Sequence, residues 1–391
     1  MAHVNPSIFQ SAIDRRLHDE LLAHEDIQRA VRRAEKDPVR SGSIARRRQL
    51  LSNAFRLTRA VAPVVLDTLA ACREILGHKE PVEVFVSSEP MIRAAAIYAP
   101  PETPAIVLSS RLLEVFQEAE LRFILGRELG HLAFEHFNLP LPATAVASDE
   151  SGRIVPHAAL LGLYRWNRAA EASADRAGLL CAKELEVSAN VLLKLASGWT
   201  SGSVKSELQA ATRRVNALLS DPSARQTPSE DDEALGSFRA HPFSPWRLRA
   251  LVAFSQTRTF LRIAGRYASE EGLSDEDADT LLAWDLRELD PSYLDEGAAH
   301  SGLMRRVLTM GERLPLPEAS RSEWGDVLAQ VRQAVSLPER ARLVQHLALV
   351  KAPDGNVTNE SFLELQRMAG ALSVPSWLVD EALRGASNPL G

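Results

Sequence analysis

Early in the chain the apolar residues recur at helical spacing. Leu50, Leu51, Phe55, Leu57 and Val61 follow an i, i+3/i+4 rhythm with charges between them, so residues 7 to 78 read as helical. Pro63 suits the first turn of a helix reaching Leu76, or a kink in a longer one. The period then changes: VEVFV (82–86) alternates and is β-branched, while AIYA (96–99) and AIVL (105–108) are short apolar runs separated by the turn-forming PPETP. These three runs predict one small sheet.

Helical rhythm returns beyond it. Ser109 and Ser110 are placed to cap a helix through Leu112, Leu113 and Phe116, and a second helix is expected from about Glu118 through Phe137, stopped by Pro140. A third begins near Pro156 and carries RAAEASADRAGLLCA, and Pro245 fits the first turn of another in HPFSPWRLRALVAF. DPSARQTPSEDDEALGS (221–237) is polar and reads as a loop. EEGLSDEDADTLLAWDLRELD is acidic and helical, GERLPLPEASRSE (311–323) is a linker or turn, and about 70 further residues form an amphipathic helical pattern of their own. The fold class is therefore α+β and mainly helical, divided as 1–78, 79–260, 261–322 and 323–391.

Composition narrows the function. The 391 residues are 45% hydrophobic and 25% charged, which suits a folded globular chain. A net charge of -6 and a pI near 6.0 offer no long-range attraction to phosphate backbones, and Arg32-Arg33 and Arg46-Arg47-Arg48 are short clusters on expected helices. A nucleic-acid partner is not expected. Cys72 and Cys181 lie far apart in sequence in apolar helical surroundings, which argues against a disulfide framework or a cysteine zinc site and for a reducing compartment. MAHVNPSIFQSAIDRR lacks a basic start followed by an apolar core, and IVPHAALLGLY (154–164) falls well short of the ~18–20 apolar residues of a membrane helix. The expectation is a cytoplasmic chain without a membrane span.

Two stretches carry chemistry. LGRELGHLAFEHF (125–137) would contain H-E-x-x-H if Arg127 were His. Residues 127 and 131 are i and i+4 on a helix, the spacing at which two imidazoles pinch one zinc with Glu128 between them as general base. A helix carrying Arg127, Glu128 and His131 only for ion pairs is the plainer alternative. In RAAEASADRAG, Glu171 and Asp175 are likewise i and i+4. Two like charges on one Ala-rich face need a cation nearby, and Ala169, Ala170, Ala172, Ala174, Ala177 and Gly178 allow a neighbour to approach closely. Arg168 and Arg176 could supply that charge locally.

Taken together, residues 82–255 resemble the zinc metallopeptidase family that includes the CAAX prenyl endopeptidase and HtpX. The resemblance is carried by IVLSSRLLEVFQEAELRFILGRELGHLAFEH, by RAAEASADRAG as an E-x-x-x-D element, and by HPFSPWRLRAL as an HP-x-x-x-x-R element. It implies a gluzincin-type core, Glu128 as general base, His131 and Glu171 as zinc ligands, Asp175 orienting a ligand imidazole, and His241 near the metal. It also implies a sheet edge within 96–108, at Ala105, Ile106 and Val107, to which a peptide adds as an extra strand. Arg127 stands where that family has its first zinc-binding His.

A guanidinium has no lone pair to give a metal. Its charge about 5 Å from a divalent cation costs roughly 6 kcal/mol at an effective dielectric near 20. The expectation is a guanidinium in place of zinc, paired with Glu171 and Asp175, in a noncatalytic protein that binds peptides or scaffolds partners. The alternative is a zinc endopeptidase using His131, Glu171 and His241, with Arg127 turned away. His136, five residues past His131, is expected to point away from that face.

LPERARLVQHLALVKAPDGNVTNESFLELQRMAGALSVPSWLVDEAL resembles the TerB-like helical domain. Asp354-Gly355 makes its turn, Thr358 caps the next helix, and Leu343, Leu347, Leu349, Phe362, Leu365 and Met368 supply core. An EF-hand is excluded because Val350 and Ala352 fall where oxygen ligands must be. The resemblance implies a module that docks a protein partner, and a stabilising helical cap is the alternative.

Overall fold

The computed structural model describes residues 6–36, 52–98, 103–139, 157–220, 245–266, 272–288, 290, 298–311, 321–351 and 357–387. Contacts divide the chain into two compact units. One comprises Met1–Pro140, Trp166–Ser229 and Phe243–Asp285; the other comprises Leu141–Arg165, Glu230–Pro242 and Leu286–Gly391.

The first unit contains a four-stranded sheet: β1 (Ala54–Arg56), β2 (Glu83–Ser87), β3 (Ala94–Ile97) and β4 (Ala105–Ser109), in the order β1-β2-β4-β3. β2 and β4 run parallel, with Val84 opposite Ile106, and β1 and β3 pair antiparallel on the outside. Two expectations are corrected here. Residues 7 to 78 are not helical throughout, because Ala54–Arg56 pairs with Phe85–Ser87 as a strand and leaves Phe55 exposed. β4 is an interior strand, bonded on both sides, so Ala105, Ile106 and Val107 offer no free edge; among the described residues the edge on that side is β3.

The remaining elements of this unit are helical. In chain order they are α1 (Ala12–Ala23), α2 (Glu25–Lys36), α3 (Pro63–Leu76), α4 (Ser110–Val115), α5 (Glu118–Ala133), α6 (His157–Ala182, whose first residues belong to the other unit), α7 (Leu185–Ser197), α8 (Lys205–Ser220), α9 (Pro245–Ser255), α10 (Arg258–Ile263) and α11 (Asp275–Glu288). Pro63 opens α3, and the Ser109 hydroxyl accepts from the Leu112 amide to cap α4. Gln117 and Glu120 close a capping box on α5.

α5 is the centre of the core. Phe123, Ile124, Leu125 and Leu129 are fully buried, and they pack with Leu69 and Leu76 of α3, Ile106 and Leu108 of β4, and Leu179 and Leu180 of α6. Small residues set the separation of α5 and α6. A Cβ on Gly178 would sit 2.7 Å from the Phe123 carbonyl oxygen, and one on Gly126 would sit 2.7 Å from Cys181 Sγ. Cys72 and Cys181, distant in sequence, meet beside this seam: the Cys181 thiol faces the Cys72 carbonyl at 4.0 Å, and burial pushes that thiol well above its usual pKa.

The second unit is helical where described. It contains α12 (Ser301–Gly311), α13 (Arg321–Ala334), α14 (Leu337–Lys351), α15 (Asn359–Ala371) and α16 (Trp377–Ser387). Its core gathers Val307, Val331, Leu343, Leu347, Leu365, Met368 and Val379. Leu349 is also buried, Phe362 packs against the cluster, and the Thr358 hydroxyl caps α15 by accepting from the Ser361 amide. Asp354-Gly355 and residues 221–237 lie outside the described residues. No described helix is long and apolar enough to cross a membrane.

Gly178→Ala is expected to destabilise the fold by about 1–3 kcal/mol, since its methyl meets backbone that cannot yield. Gly325→Ala, in open space on α13, is expected to stabilise by roughly 0.5–1 kcal/mol. Urea unfolding of the two variants checks the opposite signs.

Candidate functional site: a guanidinium clasped between helices

The close approach of α5 and α6 brings five charged side chains together below the surface. Arg127, Glu128, Glu171, Asp175 and Arg247 are all buried. The Arg127 guanidinium donates from Nη1 to Glu128 Oε1 and from Nη2 to Glu171 Oε2 at 2.5 Å, and its Nε lies 3.5 Å from Asp175 Oδ1. From α9, Arg247 donates through Nε and Nη2 to the two oxygens of Asp175 at 2.9 and 2.7 Å, and its Nη2 stands 3.4 Å from Glu171 Oε2. This is the planar fork geometry in which a guanidinium binds a carboxylate most specifically.

The electrostatics follow from burial. Desolvation alone would lower the pKa of Arg127, but Glu171, Glu128 and Asp175 outweigh it and hold the guanidinium above even its usual range. Burial also pushes Asp175 upward, against the opposing pull of Arg247 and Arg127. The two matched N–H···O contacts nonetheless identify Asp175–Arg247 as an ion pair.

His131 stands at the rim with its side chain 19% exposed and its Nε2 3.7 Å from Glu171 Oε1. Its Nδ1 lies 2.8 Å from Nδ1 of His136, so His136 does not point away as expected. The reason is local: α5 ends at Ala133, and Glu135 takes a left-handed conformation (φ 56°), which turns His136 back into the protein. His136 Nε2 then meets Asp14 Oδ2 at 3.0 Å. Asp14, wholly buried on α1, also accepts from Trp166 Nε1 at 3.1 Å and Gln10 Nε2 at 3.1 Å. Desolvation would raise its pKa, but His136 and the other donors hold it below the usual carboxylate range.

On the sheet side, the Ala96 amide of β3 donates to Glu128 Oε2 at 2.7 Å. The structure thus gathers Arg127, Glu128, His131, Glu171 and Asp175. It leaves Ala105, Ile106 and Val107 inside the sheet, and His241 lies outside the described residues. Arg176, a suggested local partner for the acidic pair, bonds Asp279 at 2.7 Å instead. Among the described residues, no three His, Cys, Asp or Glu side chains are arranged to hold a metal ion.

Three participants were not assigned from sequence. Arg247 is the arginine of the HP-x-x-x-x-R element, so its signal was present. His136 was obscured by the expectation of a helix continuing to Phe137. Asp14 lies 122 residues before His136, and no local pattern marks it.

This arrangement can be set beside known proteins. The profile of Peptidase family M48 matches residues 60–255, half of the chain. The chain belongs to peptidase family M48. Peptidases of family M48 are typically zinc-dependent. The chain is 34% identical over 138 residues to the plastoglobule-localized metallopeptidase 48 of the Arabidopsis thaliana chloroplast. That match takes in 34% of this chain and spans only 40% of the curated relative's length. No solved structure matches it significantly. The M48 segment holds Glu128, His131, Glu171, Asp175 and Arg247, whereas Asp14 on α1 lies outside it.

Arg247→Met is expected to cost about 3–5 kcal/mol in urea unfolding, because it removes both hydrogen bonds to a buried carboxylate and leaves Asp175 only the 3.5 Å approach of Arg127 Nε. Asp14 has a depressed folded pKa, so its contribution is complete above its unfolded value of about 3.9 and is lost as pH falls through the folded value. Asp14→Asn should therefore cost about 1–3 kcal/mol at pH 7 and flatten the fall in stability below pH 4, measured by urea unfolding across that range.

Proposed function

We propose that this M48 protein is a pseudopeptidase, a member whose zinc socket holds a guanidinium and whose role is to bind peptides or scaffold partners. The observation that carries the reading is Arg127 itself, buried one helical turn before His131 and bonded to Glu128 and Glu171 with Asp175 beside it. The described side chains do not fit zinc. The position that pairs with His131 has no lone pair, and the carboxylates that a metal would neutralise already share a fixed cation. Within the family, the segments IVLSSRLLEVFQEAELRFILGRELGHLAFEH, RAAEASADRAG and HPFSPWRLRAL support a likeness to the CAAX prenyl endopeptidase and HtpX.

A noncatalytic member retains the sheet. In this reading β3, not β4, receives an extended peptide, since Ala94–Ile97 is paired on one side only among the described residues. Residues 323–391 act as a TerB-like module that docks a protein partner, after an N-terminal segment (1–78) that contributes α1, α2, β1 and α3, a peptidase-like domain (79–260) and a connector (261–322). The two buried free thiols support a reducing setting such as the cytoplasm.

Elemental analysis of the purified protein, unmodified and as Arg127→His, tests the reading alongside a casein hydrolysis assay. The expected result is a zinc-free, inactive parent and a variant that gains about one zinc per chain. One zinc in the parent, lost on His241→Ala together with casein hydrolysis, would overturn it in favour of an endopeptidase using His131, Glu171 and His241 with Glu128 as base.

A further inference from the structure

The backbone of β3 alternates in what it offers. Arg93 O accepts from Ser109 N at 2.9 Å, and Ala95 and Ile97 follow it at every second position opposite Val107 and Ala105. Residues 93, 95 and 97 therefore turn their hydrogen-bonding groups toward β4, while Ala94 and Ala96 turn theirs outward, as an antiparallel ladder requires. The outward Ala96 amide is already engaged: it donates to Glu128 Oε2 at 2.7 Å, and the other oxygen of that carboxylate holds Arg127. Glu128 thus occupies the position that a carbonyl oxygen of an added strand would take.

We propose that Glu128, freed from service as a general base, is the gate of the β3 edge. Its carboxylate plugs the Ala96 amide, and an extended peptide adding to β3 must displace it. The inference rests on the reading of β3 as a peptide-binding edge. It adds the residue that regulates access and the point of the register that is contested. A hydrogen bond to an ionised acceptor is stronger than the neutral amide–carbonyl bond that would replace it. Displacement therefore opposes peptide binding, and Arg127 is positioned to hold the released carboxylate. Among the described residues no hydrogen bond engages the outward groups of Ala94, whereas pairing through the Ala96 amide waits on Glu128.

The full-length chain can be tested with three variants. Glu128→Ala removes the plug, Glu128→Asp keeps a charge for Arg127 but draws the carboxylate back from Ala96 by one methylene, and Glu128→Gln keeps an oxygen acceptor within reach. Residue-resolved hydrogen exchange should show Ala96 protected in the parent and in Glu128→Gln, and exchanging at least about tenfold faster in Glu128→Asp and Glu128→Ala. A phage-displayed random dodecapeptide library, panned on the parent and on Glu128→Asp, supplies the peptide probe, resynthesised with a fluorophore. It should bind Glu128→Asp about tenfold or more tightly than the parent and restore protection at Ala96. Equal affinity for the two, or unchanged Ala96 exchange in Glu128→Asp, would overturn the gate while leaving the peptide-binding edge intact. Recovery of no peptide on either protein would overturn both. If Glu128→Ala does not fold, Glu128→Asp carries the decision.

Discussion

The first unit is organised around one buried guanidinium and the carboxylates that surround it. Ionised groups removed from water are tolerated only when each finds its opposite at hydrogen-bonding distance. Arg127 meets that condition through Glu128 on its own helix and Glu171 on α6, with Asp175 3.5 Å from its Nε, and Arg247 meets it for Asp175 from α9. Three helices are therefore held at separations fixed by fork geometry. The glycine and alanine seam between α5 and α6 is the steric condition for the same contacts, because a side chain at Gly126 or Gly178 would push the partners apart. Packing and electrostatics here are one constraint seen from two sides.

Around that clasp the protein adds a chain of polar contacts that begins outside the family segment. α1 docks through Ser11, whose amide bonds the Ser173 hydroxyl at 3.0 Å, and through the Ala12 amide, which bonds Asp279 at 2.8 Å. Phe9 packs edge-on against Phe134 at 5.3 Å. Asp14 then reaches His136, and His136 reaches His131. The rim histidine is thus oriented by a helix that precedes the matched residues 60–255.

Much of this architecture was legible because it is written locally. Pro63, Ser109, Pro245 and Thr358 mark helix starts through dihedral and capping chemistry that needs no tertiary partner. The i, i+4 pairs Arg127/His131 and Glu171/Asp175 placed the site on two facing helices. What escaped were features decided by distant partners. Phe55 fits a helical rhythm, yet β2 offers it a strand to pair with. AIVL reads equally well as an edge or a central strand, and only the arrival of β3 makes it central. His136 depends on a left-handed Glu135, and Asp14 on a contact across 122 residues.

The two borders of the sheet differ in character. β1 is three residues long, it exposes Phe55, it ends at Arg56, which pairs with Glu83 at 3.0 Å, and it is followed by Arg59, which pairs with Asp67 at 2.7 Å. Short and charged borders discourage open-ended stacking of one molecule on the next. Among the described residues, the sheet thus ends on the β1 side in a border too short and too charged to template a long ladder.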